Sequence, residues 1–523
     1  MIKTLSLLIV CLLSLTSMAQ QYDVEWSGLE RSKGRLIYLL PSDSNEFYAL
    51  RWSGGQLFGT YQVSRHKDLK LVSSARLQLY ANNSIANFEG ARVIGGQFVV
   101  FLSDKHDGKN NLYMKRYDDD LKLIDQAILL ASYDLDRNMG KGSFDIRMSS
   151  NKEFFAVVWE IKGKKDARNI YGFKIFDTQL NVINEGEYPV PFDRDLSKIH
   201  SHHISNSGDY FLALTEYEEK ERKVFQRMRL KYKALHIFHI AEDGLLDYEL
   251  DLGGKRVEAM AMTSNDSNVF ILTGIYGEME EQGVSGVFHQ RVDLSTGKKL
   301  DEGFMEFEED FITEGWSDRA VKRAERRADQ GKGDPQLYNY QMREITILPD
   351  GSIVGTMEQY YVQVRSFSNV RTGQSSNTYY YYYNDIIAYK IGTDSKFGWV
   401  QKIRKSQVSA NDGGPFSSYE TFIDNGQVHF IFNDNVKNFD ENGNFIDVDR
   451  LHVSNYGRKN NVVALASIDL ETGETERKPF FGRTEIEALA VPKLFNVNYP
   501  EAHILLYAIW GKKEKIGFLN LNH

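Results

Sequence analysis

Phe98-Val99-Val100-Phe101-Leu102 is an unbroken apolar run of β-branched and aromatic residues. A polar loop follows, then the more mixed run Leu112-Tyr113-Met114-Lys115-Arg116-Tyr117, closed by Asp118-Asp119-Asp120-Leu121. A short apolar run bounded by turn residues reads as a strand covered on both faces. A mixed partner reads as a strand nearer the surface. The pair is a hairpin, and its pattern recurs along the chain.

Phe154 to Trp159 pairs in the same way with Ile170 to Phe176, before Asp177-Thr178-Gln179-Leu180. Phe211 to Leu214 goes with Ala234 to Ile240, before Glu242-Asp243-Gly244-Leu245. Val269 to Leu272 goes with Val287 to Val292, before Asp293-Leu294-Ser295-Thr296-Gly297. A copy starting near Ile353 goes with Ile386 to Ile391, and Val428 to Phe432 goes with Val462 to Ile468, before Asp469-Leu470-Glu471-Thr472-Gly473. Phe47 to Leu50 with Phe58 to Val63 precedes them all, and Ile504 to Trp510 with Ile516 to Leu521 ends the series. The spacing is roughly 50 to 60 residues early and 75 to 85 later.

About eight copies of one hairpin predict an all-β repeat fold, a β-propeller of eight blades, with seven as the alternative count. Each blade's inner strands would be covered by both neighbours. The series stops at Leu521 with no outer strand left, so an N-terminal segment, expected at Arg35 to Leu40, should complete the last blade and remove an open edge. The rival architecture is a pair of β-sandwiches. One segment breaks the β pattern: Ser317 as N-cap starts a helix from Asp318 to about Asp329, with Trp316 placed to staple onto Val321, and Gly331, Gly333 and Pro335 after it. This is a short helical insertion on the rim, at about 308–340.

Lys3, the apolar run Leu5 to Leu15 and Ser17-Met18-Ala19 form a secretory signal peptide over 1–19, too short to span a membrane. The expected organisation is that leader and one β-propeller domain over 20–523, exported to the periplasm or the exterior. No transmembrane segment is expected after cleavage. Cys11 is the only cysteine and leaves with the leader, so no disulfide can form in the mature chain. The net charge of −9 gives no global attraction to nucleic acid. No cofactor is expected.

The most unusual stretch runs from Met357 to Gln407. Glu358-Gln359-Tyr360-Tyr361 is followed, after a polar loop, by Tyr379 to Tyr383 and Asn384-Asp385-Ile386. Alternation places Tyr379, Tyr381 and Tyr383 on one face of a strand and Tyr380 and Tyr382 on the other. Tyr360, Tyr361, Tyr379, Tyr381 and Tyr383 are candidate ligand-binding residues, because a tyrosine offers a flat apolar face and a polar tip to a sugar ring or a partner protein. The competing reading is cross-strand aromatic packing within one long hairpin. Glu358 and Asp385 are the candidate catalytic carboxylates, since a pair across a cleft can act on a glycosidic bond. Each has a plainer role open to it, satisfying a backbone group or an arginine.

Other clusters read as structural. His200, His202 and His203 lack the spacing of a helical zinc pair and lie in a polar stretch that reads as a solvated loop. Asp440-Glu441-Asn442-Gly443-Asn444 fails the register of a calcium loop and reads as a hairpin turn. Arg319, Lys322, Arg323, Arg326 and Arg327 read as a solvated helix face. No metal site is expected.

The chain resembles a group of secreted β-propeller-like proteins of Bacteroidota-type bacteria. The likeness rests on Glu358-Gln359-Tyr360-Tyr361, on Tyr382-Tyr383-Asn384-Asp385-Ile386, and on Trp399 with Lys402-Ile403. It implies export and a bacterial origin, and it brings no activity with it. More distantly, Asp293 to Gly297 and Asp469 to Gly473 are similar to the Thr-Gly turn of quinoprotein-type blade repeats. The Trp that follows in that repeat is absent at both, and Gly398-Trp399 matches only in part.

These readings point to a non-enzymatic binding or scaffold protein whose partner is a glycan or an envelope protein. The alternative is a glycan-acting hydrolase or lyase with carboxylates such as Glu358 or Asp385 in an axial funnel.

Overall fold

The computed structural model describes residues 22–521 apart from 43–44, 55–58, 83, 136–143, 163–167, 220–229, 242–243, 251, 266–268, 280–282, 295, 331–334, 369–374, 455, 457–459 and 500–501. The segment expected to be a leader, with Cys11, lies outside the described residues, as do Phe58, Glu242, Asp243, Ser295, Gly331 and Gly333.

Every hairpin read from the sequence forms the middle of a four-stranded antiparallel arrangement. In the second sheet, Gln97–His106 pairs with Lys109–Tyr117, and Asn87–Ile94 and Ile128–Asp134 flank them. The same order repeats in eight sheets, from Arg35–Pro41 in the first to Lys513–Asn520 in the eighth. The first strands of successive sheets approach one another, so they form the inner side of the ring.

The apolar run that opened the sequence reading explains the packing. Phe98, Val100 and Leu102 point one way and pack with Tyr48 and Leu50 of the first sheet. Val99 and Phe101 point the other way and pack with Phe155 and Val157 of the third. A strand buried on both faces has no polar face, so its sequence shows no alternation. Eight such clusters join consecutive sheets, and the last joins Leu36, Leu39 and Phe47 of the first sheet to Leu505, Tyr507 and Phe518 of the eighth. The protein is a β-propeller.

Closure differs in detail from expectation. Arg35–Pro41 does not complete the last sheet. It is the inner strand of the first, with Leu39 opposite Ala49. Leu36 and Leu39 are buried in the seam with the eighth sheet, which requires an inner position. The outer strand of the eighth sheet is Val24–Trp26, with Val24 opposite Leu519 and Trp26 opposite Gly517. A Cβ at Gly517 would meet the Trp26 ring at 2.8 Å, so glycine makes room for the indole.

The Thr-Gly turns lock neighbouring sheets. In the seventh sheet Asp469 Oδ1 accepts from the Thr472 backbone N–H at 2.8 Å, and Gly473 takes a φ of +76°. Trp399, in the outer strand of the sixth sheet, packs directly on Gly473 and donates its indole N–H to Leu470 O at 3.2 Å. In the fifth sheet Gly297, at φ +65°, receives Tyr248 of the fourth in the same way. Trp399 and Trp159 are buried between sheets, and Trp510 is exposed.

The rim helix spans Asp318–Asp329 as expected, and its basic side chains are exposed. A short helix, Glu309–Thr313, precedes it and was not anticipated. Ser317 caps through its backbone carbonyl, which accepts from Ala320 N, and not through its hydroxyl. Trp316 packs into the seam of the fifth and sixth sheets. His200, His202 and His203 lie in the strand Ser197–Ile204, so the loop reading is corrected. His203 is buried and bonds Ser264 Oγ at 2.9 Å. The stretch from Asp440 to Asn444 is a hairpin turn in which Asp440 accepts from Asn442 N and Asn444 N.

Candidate binding site

The sixth sheet carries the longest hairpin. Its middle strands are Ile353–Ser368 and Ser375–Ile391, whereas its flanking strands stop opposite Gln359 and Ile386. Beyond that point the hairpin continues as an arm. Gln407–Ala410 pairs with Tyr380–Tyr383 along one side. Along the other side, Tyr361–Ser368 has no strand beside it among the described residues.

The arm places each tyrosine as alternation requires. Tyr360 faces Tyr383 with ring centroids 4.7 Å apart, and Tyr361 stacks on Tyr382 at 4.6 Å. Cross-strand packing is therefore real, and it does not consume the whole run. Val362 lies opposite Tyr381 and Val364 opposite Tyr379 on the same face as Tyr383. Tyr379 is 41 % exposed, Val362 40 % and Val364 48 %, whereas Tyr383 is buried at 5 %. One face thus grades from an exposed aromatic–aliphatic ladder at the tip to a buried ring at the base. On the opposite face, Arg365 sits 4.8 Å above the Tyr380 ring.

The base of the arm is an ion-pair knot. Glu358 is wholly buried and accepts from Lys405 Nζ at 2.7 Å, from Arg343 at 2.5 and 3.1 Å, and from Ser418 Oγ at 2.7 Å. Burial alone would raise its carboxyl, but Lys405 and Arg343 outweigh it and hold the group below its ordinary value. Arg343 reaches Glu358 from a bulge in the inner strand. Equivalent bulges insert Ile37, Glu89, His200 and Glu258 in four other sheets, and bulges re-aim side chains in this way. Asp385 accepts from the backbone N–H of Lys405 at 2.9 Å, and burial raises its carboxyl. The structure brings Glu358 and Asp385 to opposite ends of one lysine. Lys405 also donates to Tyr383 O at 3.0 Å, which ties the arm to the ring.

Sequence reading missed Lys493. It lies on the 3-10 turn Pro492–Leu494 of the eighth sheet and is exposed. Its Nζ donates to Tyr383 Oη at 2.7 Å and sits 4.0 Å from the ring centroid. The turn also touches Tyr419–Asp424, the inner strand of the seventh sheet, and Arg35–Pro41, the inner strand of the first. Although the residue as a whole is exposed, the protein packed around its ammonium lowers the pKa to about 8, against the opposing pull of Glu358 and Asp412. No local pattern could have announced a contact between positions 110 apart in sequence.

A second missed pair lies on inner strands. Glu344 follows Arg343 in the sixth sheet, and Glu420 lies in the first strand of the seventh. Glu344 reaches water yet sits in dense surroundings that push its carboxyl up to about 7. Burial and then Glu344 itself raise Glu420 well above its ordinary value. Among the described residues no three of His, Cys, Asp and Glu converge as metal ligands, and no helix is long and apolar enough to cross a membrane.

No family model matches the chain, and no curated protein matches it. Solved structures do. The chain is similar to the β-propeller domain of the trilobed protease from Pyrococcus furiosus, at 11 % identity and a TM-score of 0.31, over 86 % of this chain and 96 % of that one. It is similar to an ulvan lyase of a polysaccharide lyase family, at 8 % identity and a TM-score of 0.35, over 61 % and 75 %. It is also similar to a protein of unknown function from Dyadobacter fermentans, at 7 % identity and a TM-score of 0.31, over 74 % and 96 %.

Proposed function

We propose that this is an exported binding or scaffold propeller of the cell envelope or exterior, one domain after its leader, which recognises a glycan or an envelope protein through the tyrosine arm. The observation that carries the reading is the exposed ladder of Val362, Val364 and Tyr379, raised above the ring on a stiff three-stranded arm. Soluble proteins rarely leave aromatic and branched side chains side by side in water without a partner for them. The exposed side chains stand on hydrogen-bonded strands, so little ordering entropy opposes binding there. The test is binding of the mature chain to glycans and envelope extracts, with Tyr379 and Tyr381 both changed to Ala. Loss of binding with an unchanged melting curve supports the reading. Binding that survives the change removes it.

A second reading is an acid–base enzyme acting on a glycan. What favours it is the pair Glu344 and Glu420, both held toward the neutral form, as a general acid must be. Glu358 and Asp385 are poorer candidates, since each is already held by Lys405. Turnover of an envelope glycan that is abolished in Glu420→Gln would favour this reading over simple binding.

A further inference from the structure

We propose that the open edge of the arm, from Val362 to Ser366, takes up an extended strand of a partner protein by antiparallel strand addition. That strand carries branched apolar residues toward the tyrosine face and an acid toward Arg365. The inference rests on the arm being the recognition surface and adds what kind of partner meets it and how.

The backbone is the first argument. Tyr360 donates its N–H to Asn339 O at 2.9 Å, on the side where the flanking strand Tyr340–Ile347 begins. Backbone groups of an antiparallel strand point to alternate sides, and the one shift in this hairpin's register lies before Tyr360. The N–H and C=O of Val362, Val364 and Ser366 therefore point to that same side, beyond the end of the flanking strand. No group of a described residue meets them there, and every residue from Val362 to Ser368 is exposed. A donor and an acceptor repeated every second residue, about 7 Å apart, match another extended strand; a sugar chain or a helix presents no such row.

The composition of the edge is the second. Free sheet edges are ordinarily closed to a further strand by proline or charge. The outer strand of the third sheet, Val182–Asp193, carries Glu185, Glu187, Pro189 and Pro191. That of the seventh, Thr475–Gly482, carries Glu476, Lys478 and Pro479. Residues 361–368 hold neither a proline nor an acid.

The two faces of the edge say what the added strand carries. Residues placed opposite Val362 and Val364 share their face with Tyr379 and Tyr381, so apolar side chains are favoured there. Gln363 and Arg365 stand on the other face. Arg365 has the Tyr380 ring at 4.8 Å and no ion pair with a described carboxylate, so an acid across from it gains a partner. A second copy of this edge fits less well. Antiparallel pairing about Val364 would set two Arg365 side chains diagonally on one face, in two chains that each carry a net charge of −9.

The experiment measures binding of the full mature chain to a short capped peptide in which Val alternates with Thr and Glu, and to its counterpart with Lys in place of Glu. The Glu peptide should bind severalfold tighter, and Arg365→Glu should reverse the order. Methylating the Val backbone nitrogens, which face the edge in antiparallel pairing, should weaken the Glu peptide about tenfold or more, whereas methylating the Thr and Glu nitrogens, which face away, should leave it. Val364→Pro removes one outward N–H and none of the hairpin's own bonds, and should also weaken binding about tenfold; Val364→Thr keeps the N–H and should keep most of the affinity. The methylated peptides probe the parent chain, so the outcome does not depend on the proline variant folding. No binding of either peptide in millimolar excess, equal loss from the two methylation patterns, or an unchanged order in Arg365→Glu overturns the inference. So does a dimer of the free chain that Val364→Pro dissolves in sedimentation equilibrium, since a second copy would then be the occupant. Envelope binding that is lost in the Tyr379/Tyr381 double variant would still stand in those cases, so the two proposals fail separately.

Discussion

Tyr22 Oη donates a 3.0 Å hydrogen bond to Asp424 Oδ2, joining positions 402 apart in sequence. His429 Nε2 lies 2.9 Å from the same hydroxyl, and the Tyr22 ring packs edge-on against Phe422. The strand Val24–Trp26 follows at once and forms the outer edge of the eighth sheet. One buried side chain in the seventh sheet thus anchors the segment that finishes the eighth. Tyr22→Phe removes the partner of His429 Nε2 and one of the donors to Asp424 Oδ2, which keeps Asn425, and should cost about 1–3 kcal/mol. Removing residues 20–26 should cost more, because it also bares an edge strand. Urea denaturation of the two variants checks the order; equal stability of both with the parent would contradict the anchoring.

The buried pair of Lys405 and Glu358 sets the arm on the ring. Both side chains are without exposed surface. Lys405→Met leaves the buried Glu358 carboxylate to Arg343 and Ser418 alone, so the expected loss is about 1.5–3 kcal/mol. Changing Glu358 to Gln in the same chain should recover part of that loss, since the charge that Lys405 helped to answer is then gone and the partly exposed Arg343 can turn to water. Amide exchange along Tyr360–Ser368 should quicken in the single variant. A double variant as unstable as the summed singles would show that the two groups act independently.

Acid should weaken the fold in a defined window. Burial lowers His66, His200, His202, His203 and His429, each to about 4. In the unfolded chain these groups titrate near ~6.5. Between those values the unfolded chain binds protons that the fold refuses, so stability falls as pH drops from about 6.5 toward 4. His236 works the other way, because Asp247 and Glu216 outweigh its burial and raise it, and it returns only part of the loss. Asp209, lowered to about 2 chiefly by its hydrogen bond with His239, adds a further loss below about 4. Thermal melts at pH 7.5, 6 and 5 should show a falling midpoint. A flat profile would mean that these imidazoles accept protons in place.

How much of this was legible follows from where each signal sits. Phe98 to Leu102 announced a doubly covered strand because two neighbouring sheets press on its two faces, and that constraint is written residue by residue. The Tyr360 and Tyr361 pairs were legible for the same reason, since hairpin register is local. Val24–Trp26 was not, because three residues carry no period and their pairing partner is at the other end of the chain. His200 to His203 misled because polar side chains on an inner strand look like loop. Arg343 was hidden by a bulge, which shifts a side chain without any change in composition. Lys493 was hidden by distance, because the ring alone brings its turn over the seventh sheet to Tyr383.

Glu344 gives a prediction of opposite sign to the histidines. Its carboxyl is raised to about 7, against an unfolded value near ~4.3. Below that unfolded value both states are protonated and the group is silent. As pH rises from about 4.3 to 7, the unfolded chain releases the proton and the fold retains it, so the group's cost to stability grows and then levels off above 7. Glu344→Gln removes the titration. The variant should match the parent at pH 4 and melt higher than it at pH 8. Glu344 also raises Glu420 across the inner strands of adjacent sheets, so the same variant should bring the Glu420 carboxyl down toward its ordinary value. A Glu344→Gln variant that is less stable at pH 8 would mean that the carboxylate has a cationic partner in solution, and would count against a shared acid–base role for the pair.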